Sequence, residues 1–265
     1  MRHAINLPLF GPLAEPATVV EIGQSAEDNG WDGLFVWDHV LSPLPESWEI
    51  SDPWIVLAAV AATTKAIRLG TMVTPIARRR IIKLARETVT LDRLCAGRLT
   101  LGLGLGEDGG REFSAFGDPV RPAERAEILE QGVAALTALW AGKVVNSSGS
   151  VRVENVQIEP GPVQSPRIPI WFGCKGVNFR PVERAAAYDG IYPIEVELPQ
   201  VGQIVERIRQ LRGSLEGFDI ALAARPGISL SDLRVAGATW AMHAFWPGHR
   251  PEQVMRFIMR GVPSD

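Results

Sequence analysis

Two side chains that can transfer protons, His39 and Glu107, each follow the end of a predicted strand. His39 directly follows the apolar run that ends in Trp37-Asp38, and Glu107 follows a glycine-rich run. An imidazole or a carboxyl group in such a place acts as a general acid, a general base or a hydrogen-bond partner of a bound ring. The alternatives are a satisfied loop histidine and a solvated loop carboxylate, and the residues by themselves leave both alternatives open.

A glycine-rich stretch, "RLTLGLGLGEDGGREF", runs from Arg98 to Phe113. Gly104, Gly106 and Gly109 spell G-x-G-x-x-G, but a dinucleotide-binding loop also needs a helix that opens at the loop. The following segment "REFSAFGDPVRPAE" carries two prolines and does not predict such a helix. Gly102, Gly104 and Gly106 alternate along the chain, which instead predicts a strand with no side chains on one face. Such a face leaves room for a flat aromatic ligand.

A third group, Gly173-Cys174-Lys175-Gly176, follows the apolar run "IPIWFG". A glycine-rich loop that enters a helix offers free N–H groups and a positive helix end, so it predicts a phosphate site, to which Lys175 adds charge. The alternative is a plain helix-entry turn. No nearby residue supplies a base for Cys174, which we interpret as a small loop residue and not as a nucleophile. Ile194 ends the next strand at the same rim, and the run Arg78–Arg80 is interpreted as a solvated helix entrance.

The elements that must position these groups alternate regularly along the chain. Eight apolar runs are each followed by a helical pattern within 265 residues, and we expect a single domain over residues 1–265. Apolar runs without polar alternation are typical of parallel strands covered by helices on both faces. The pattern favours a (β/α)8 TIM barrel of class α/β over an open doubly wound sheet, and it places the active site at the C-terminal strand ends. Period-two alternation around Ser148-Gly149 predicts a β-hairpin insertion between the fourth helix and the fifth barrel strand.

Composition argues against several classes of partner. The net charge is −3 and the pI about 5.9, so no basic surface is expected for nucleic acid or a membrane. Two cysteines in unrelated contexts predict a reducing, cytoplasmic location without a disulfide framework. The four histidines show none of the spacings of metal ligands, so we expect no metal.

Several segments together resemble the luciferase-like monooxygenase family of flavin-dependent oxidoreductases. They are "GWDGLFVWDH", "RLGTMVTP", "LARETVTLDRLCAGRLTLGLGLGEDGGREFSAFG", "PIWFG" and "RAAAYDGIYP". The resemblance covers about residues 3 to 200 and is weaker beyond the sixth strand. Each motif is weak alone, whereas the set is specific.

The resemblance implies a barrel that holds FMN or the deazaflavin F420 at its top. It implies a cis peptide at Met72-Val73 behind the ring, a histidine near the ring at His39, and an acid at Glu107 in the F420-using branch. It places the phosphate loop at Gly173–Gly176, although Cys174 and Lys175 depart from the family's glycine or serine. The predicted cofactor-binding residues are Met72, Val73, Gly104, Gly106, Gly173, Cys174, Lys175, Gly176 and Ile194.

Three functions follow from the resemblance. The first is a monooxygenase that uses O2 and reduced FMN, supplied by a separate flavin reductase, on a small-molecule substrate. The second is an F420-dependent oxidoreductase that transfers hydride, with His39 and Glu107 as its acid–base pair. The third is a flavin-binding protein without catalysis, because the insertion that follows the seventh strand in relatives is short here. We also expect a homo-oligomer, a dimer.

Overall fold

Eight parallel strands close into a barrel in the computed structural model, which describes residues 1–44 and 49–264. The strands are β1 (Arg2–Leu7), β2 (Gly33–Val36), β3 (Arg68–Pro75), β4 (Leu99–Gly104), β7 (Ile170–Lys175), β8 (Gly190–Ile194), β9 (Asp219–Ala223) and β10 (Trp240–Ala244). Around the barrel they run β1-β10-β9-β8-β7-β4-β3-β2, with β2 beside β1. The predicted TIM barrel is confirmed. The C-terminal ends of β2, β3, β4, β7 and β8 lie side by side at one mouth.

Helices follow the barrel strands in the described part of the chain. They are α1 (Pro16–Asp28), α2 (Pro53–Thr63), α3 (Ile81–Leu94), α4 (Pro122–Trp140), α5 (Phe179–Ala186), α6 (Leu198–Arg212), α7 (Leu230–Val235) and α8 (Pro251–Ile258). The start of α2 shows why the sequence begins a helix there: the Asp52 side chain accepts from the N–H of Trp54 and of Ile55, and Pro53 occupies the first turn. Between α4 and β7 lies the predicted hairpin, β5 (Val145–Ser148) with β6 (Arg152–Val156).

Two apolar cores hold the barrel. The larger core lies between the strands and the helices, where 3.6-residue periodicity directs one face of each helix inward. The smaller core fills the barrel interior and consists of Ala4, Phe35, Met72, Trp171, Tyr192, Ala221, Trp240 and Met242. Across residues 1–44 and 49–264, none of the helices combines the length and the apolar character needed to traverse a bilayer.

Two histidines meet on the outer side of the barrel wall. His3 Nδ1 lies 3.1 Å from His243 Nε2, and the ring of His243 packs against Trp31 and Phe257. Burial, and then the charge of His3, lower the pKa of His243 from 6.5 to about 4. Burial is also the first cause of the lowered pKa of His3. The cluster is therefore neutral at physiological pH.

This cluster predicts acid sensitivity. Because the pKa of His243 is lower in the folded chain than in the unfolded chain, its contribution to stability is complete above about pH 6.5 and is lost as the pH falls toward 4. We expect the free energy of unfolding, measured by denaturant titration, to decline over this interval. His243→Phe should flatten the decline, whereas the same change at His249, outside the cluster, should not. Parallel pH profiles for all three proteins would contradict the prediction.

Candidate functional site

The centre of the mouth is formed by an irregularity in β3. The register of β3 on β4 shifts between Thr71 and Thr74, and the peptide bond between Met72 and Val73 is cis. The cis bond lies at the predicted position. Met72 is buried, while Val73 is half-buried and packs with Ile194 on the interior core. The shift therefore presents Val73 at the inner surface of the mouth.

The glycines of β4 and β7 accommodate this irregularity. A Cβ atom built on Gly102 would overlap the carbonyl oxygen of Thr71. A Cβ on Gly104 would lie 2.5 Å from Val73 Cγ2, and one on Gly173 would lie 3.1 Å from Val73 Cγ1. Real Cβ atoms essentially never approach another atom within 3.0 Å. The space beside Gly102 and Gly104 is thus filled by β3, which corrects the expectation that it is open for a ring.

Gly106, the next glycine of this stretch, is also closely packed by neighbouring side chains. Gly106 has a φ of +69°, and a Cβ there would lie 2.8 Å from Phe113 Cζ and from Pro75 Cβ. The helix after β4 begins only at Pro122. The G-x-G-x-x-G match therefore does not open a helix, in agreement with the prediction that it is not a dinucleotide turn.

A substitution tests the fit between β3 and β4. Gly104→Ala should lower the free energy of unfolding by about 1–3 kcal/mol, because the added methyl forces Val73 to move. Val73→Ala in the same chain should restore much of the loss, as denaturant titration would show. The matched control is Gly202→Ala on the exposed side of α6, where a Cβ meets no described atom within 4 Å and should raise stability. A loss at Gly104 that Val73→Ala leaves unchanged would contradict this account.

A buried ionic network joins the segments that follow β2 and β3. Oδ1 of Asp38 accepts from Arg78 at 2.7 Å and from Arg79 at 2.6 Å, and its Oδ2 accepts from the Thr74 hydroxyl at 2.7 Å. The Arg78 side chain is 3% exposed. The prediction that Arg78–Arg80 is a solvated helix entrance is therefore wrong for Arg78, because two carboxylates compensate the loss of its hydration.

Glu112 extends the network to the candidate histidine. Its Oε1 accepts from Arg78 and, at 2.6 Å, from the N–H of Val40, and its Oε2 lies 2.8 Å from His39 Nδ1. Burial alone would raise the pKa of Glu112, but the hydrogen bond and charge of His39 and the charge of Arg78 hold this pKa below its usual value. An ionised carboxylate can only accept, so Nδ1 of His39 carries a proton, and in the neutral form of the imidazole Nε2 is the acceptor.

Glu107 lies in a second ionic cluster, at the exposed rim. The Lys175 ammonium lies 2.9 Å from Glu107 Oε1 and 3.1 Å from Glu195 Oε1. The hydrogen bonds that the ammonium donates to these two carboxylates raise the pKa of Lys175. The Glu107 side chain is 69% exposed. The structure thus joins the predicted residues Glu107 and Lys175 by an ion pair, and His39 belongs to the other network.

The predicted phosphate loop is mostly strand. Gly173, Cys174 and Lys175 are the last residues of β7, and the N–H of Gly176 donates to the carbonyl of Ile194 at 3.0 Å. The Cys174 side chain is buried in the outer core, and burial raises the pKa of its thiol. It does not face the mouth, so a contact of Cys174 with a cofactor would have to come from its backbone.

Sequence reasoning assigned no role to Glu112, Asp38 or Thr74, which fix the position of His39 and its neighbours. Glu112 lies within the segment "REFSAFG", where an acidic residue directly precedes the buried Phe113. The signal available in the sequence was an acidic residue that directly precedes an aromatic one. The sequence also gave no indication of Asn6 and Tyr192, which form a hydrogen bond inside the barrel.

Comparisons with known proteins identify the family and the fold of this chain. The family model described as luciferase-like monooxygenase matches residues 4–255. An F420-dependent glucose-6-phosphate dehydrogenase from Microbacterium testaceum is 30% identical over 165 residues, which are 61% of this chain and 48% of that protein.

Two solved structures share the fold over almost the whole chain. The monooxygenase RslO1 from Streptomyces bottropensis superposes with a TM-score of 0.82 at 20% identity, covering 98% of this chain and 97% of that one. The coenzyme F420 dependent tetrahydromethanopterin reductase from Methanopyrus kandleri gives a TM-score of 0.77 at 16% identity, with 98% of both chains covered. With a family model matched over nearly its entire length, the chain belongs to the luciferase-like monooxygenase family.

Proposed function

We propose that the protein is a flavin-dependent monooxygenase that uses reduced FMN and O2 on a small organic substrate. The observation that carries the flavin assignment is the Val73 bulge in β3, with the glycines of β4 and β7 that surround it. This arrangement presents a half-buried apolar surface at the mouth, against which one face of a planar ring can rest. Gly104 and Gly173 serve the ring indirectly, by keeping Val73 in place.

The polar groups nearby also fit such a cofactor. Asn6 Oδ1 is buried and has no hydrogen-bond partner among the described residues, so the interior beneath the mouth offers an unused acceptor. At the rim, the Lys175 ammonium carries three N–H donors, and Glu107 and Glu195 account for two. The third donor remains for a phosphate oxygen beside Gly176.

The ion pair of Glu107 at the rim supports our choice of FMN over F420. Hydride transfer with F420 in this family would need Glu107 as an acid, yet Glu107 is engaged as the ion-pair partner of Lys175. A monooxygenase does not require an acid at that position. Bound reduced FMN would supply the electrons and the reaction with oxygen, while the chain supplies position and a dry, apolar cavity.

In this proposal, His39, Glu112 and the aromatic rings beside them contribute to the binding of the substrate and to proton transfer. Glu112 holds Nδ1–H of His39, so Nε2 is available to accept a proton or hydrogen bond from a ligand in the mouth. Aromatic rings line the same side: the centroids of Phe10 and His39 lie 5.2 Å apart, and those of Trp37 and Trp246 lie 5.6 Å apart. These rings favour a substrate with apolar or aromatic surface and exclude water from it.

Cofactor titration and oxygen uptake test the proposal. The purified chain is titrated with FMN and with F420 by absorbance and fluorescence, and oxygen uptake with reduced FMN is measured over a panel of small aromatic and aliphatic substrates. We expect FMN binding and uptake that depends on a substrate. FMN binding with no uptake on any substrate would favour the third function, a flavin-binding protein without catalysis.

The second candidate is an F420-dependent oxidoreductase with His39 and Glu107 as its acid–base pair. It is favoured by the position of Glu107, which follows β4 and lies at the exposed rim, and by the F420-dependent proteins to which the chain is similar. Release of Glu107 from Lys175 on cofactor binding would be required. Micromolar binding of F420 without binding of FMN would reverse our order.

The proposal extends to the partners and the setting. A separate flavin reductase delivers reduced FMN to this single barrel domain of residues 1–265, which acts in the cytoplasm as a homodimer. Adding a reductase and NADH in place of chemically reduced FMN should sustain oxygen uptake, and light scattering should give the mass of two chains.

A further inference from the structure

A polar pair crosses the interior of the barrel. Asn6 lies on β1 and Tyr192 on β8, and β10 and β9 separate these strands around the wall. Asn6 Nδ2 donates to the Tyr192 hydroxyl oxygen over 3.4 Å. Asn6 is 1% exposed and Tyr192 is 7% exposed. The pair is the polar part of an interior otherwise filled by apolar and aromatic side chains.

The hydrogen bonds of this pair are incomplete. Asn6 Oδ1 has no partner among the described residues, although a buried acceptor without a partner is unfavourable. Tyr192 accepts from Asn6, so its own O–H proton is free to donate to another group. Burial raises the pKa of Tyr192, which keeps this proton in place. The pair therefore presents an acceptor and a donor close together.

The position of the pair connects it to the candidate flavin site. Tyr192 pairs in register with Gly173, whose missing side chain makes room for Val73. Ile194, two residues further along β8, packs with Val73 on the interior core that includes Tyr192. Tyr192 thus belongs to the interior core on which Val73 packs, and Asn6 is its hydrogen-bond partner there.

We propose that Asn6 and Tyr192 bind the pyrimidinedione edge of the cofactor ring. Asn6 Oδ1 accepts from the ring N3–H, and the Tyr192 hydroxyl donates to a carbonyl oxygen next to it. This inference rests on the proposed function and extends it to two residues with no assigned role. FMN and F420 share this imide edge, so the assignment applies to both candidate cofactors. The competing arrangement is a buried water that satisfies Asn6.

Binding of an N3-methylated flavin separates these arrangements. The dissociation constants of FMN and of 3-methyl-FMN are measured for the wild type, Asn6→Ala, Tyr192→Phe and the control Met242→Leu, which changes the same interior without a polar group. The wild type should bind FMN about 10-fold more tightly than the methylated flavin, since one hydrogen bond is lost and Asn6 stays buried. Asn6→Ala should bind FMN about 10-fold more weakly and should no longer discriminate against the methyl group.

The other two variants and the contradicting outcomes can be told apart from one another. Tyr192→Phe should weaken FMN binding, whereas Met242→Leu should leave it unchanged, with thermal melting as the check that each variant folds. If Asn6→Ala does not fold, the wild-type preference for FMN and the Tyr192→Phe result decide. Equal affinities of the wild type for both flavins, or of Asn6→Ala and the wild type for FMN, would overturn this inference alone. If the wild type binds F420 and not FMN, Asn6→Ala should bind F420 about 10-fold more weakly, and equal affinities of the two proteins for F420 would overturn the inference. A wild type that binds neither cofactor would refute the proposed function itself.

Discussion

Replacing Arg78 with methionine is expected to lower the free energy of unfolding by about 3–5 kcal/mol. Arg78 donates to both Asp38 and Glu112, and all three side chains are buried. Methionine fills a similar volume but removes the positive charge that lies between the two carboxylates. Asp38 then keeps its ion pair with Arg79, and Glu112 keeps its other hydrogen-bond partners. Urea titration monitored by tryptophan fluorescence and circular dichroism measures the loss.

Arg80 provides the matched control for this prediction. It is the exposed neighbour in the same arginine run, so Arg80→Met should change stability by less than about 0.5 kcal/mol. The network is buried, so the loss at Arg78 should persist in high salt, which screens exposed charges far more than buried ones. An effect of Arg78→Met no larger than that of Arg80→Met would show that the network contributes little to stability.

Replacing His39 with glutamine is expected to lower substrate-dependent turnover by about 100- to 10,000-fold, the range for loss of a positioned acid or base. A glutamine amide can still donate to Glu112 but cannot take up a proton at neutral pH. The affinity for FMN should change little, because in our proposal the ring rests on Val73 and not on His39. The measurement is oxygen uptake on the substrate found in the panel, with the FMN dissociation constant measured in parallel.

Glu112→Gln separates position from proton transfer. The variant keeps His39 but no longer presents a carboxylate to Nδ1, so turnover should fall by less than in His39→Gln and its dependence on pH should shift. A His39→Gln variant with wild-type turnover would identify His39 as a satisfied loop histidine, the alternative that the sequence leaves open.

The barrel could be predicted from the sequence because the signals for its strands and helices are local. Each strand is a short apolar run, each helix has its own start and stop residues, and the hairpin is marked by alternation around Ser148-Gly149. The position of the cis peptide was available only through family resemblance, as nothing in the types of Met72 and Val73 distinguishes them from other strand residues.

The ionic networks were not predictable in the same way. His39 and Glu112 are 73 positions apart, and they meet because the segments after β2 and β4 converge over the end of β3. Charged residues are mostly exposed, so the arginine run was interpreted as solvated; burial of Arg78 follows from the two carboxylates that surround it. Likewise, the pairing of Lys175 with Glu107 depends on the neighbouring positions of β4 and β7.

The close packing of Val73 against two glycines limits how the sequence of this barrel can change over time. Side chains at positions 73, 104 and 173 share one volume, so each position determines what the other two tolerate. A lineage that acquires a methyl group at position 104 must first, or at the same time, shorten residue 73. The order of substitutions is therefore constrained, and these positions should vary together among relatives, although they are far apart in the chain.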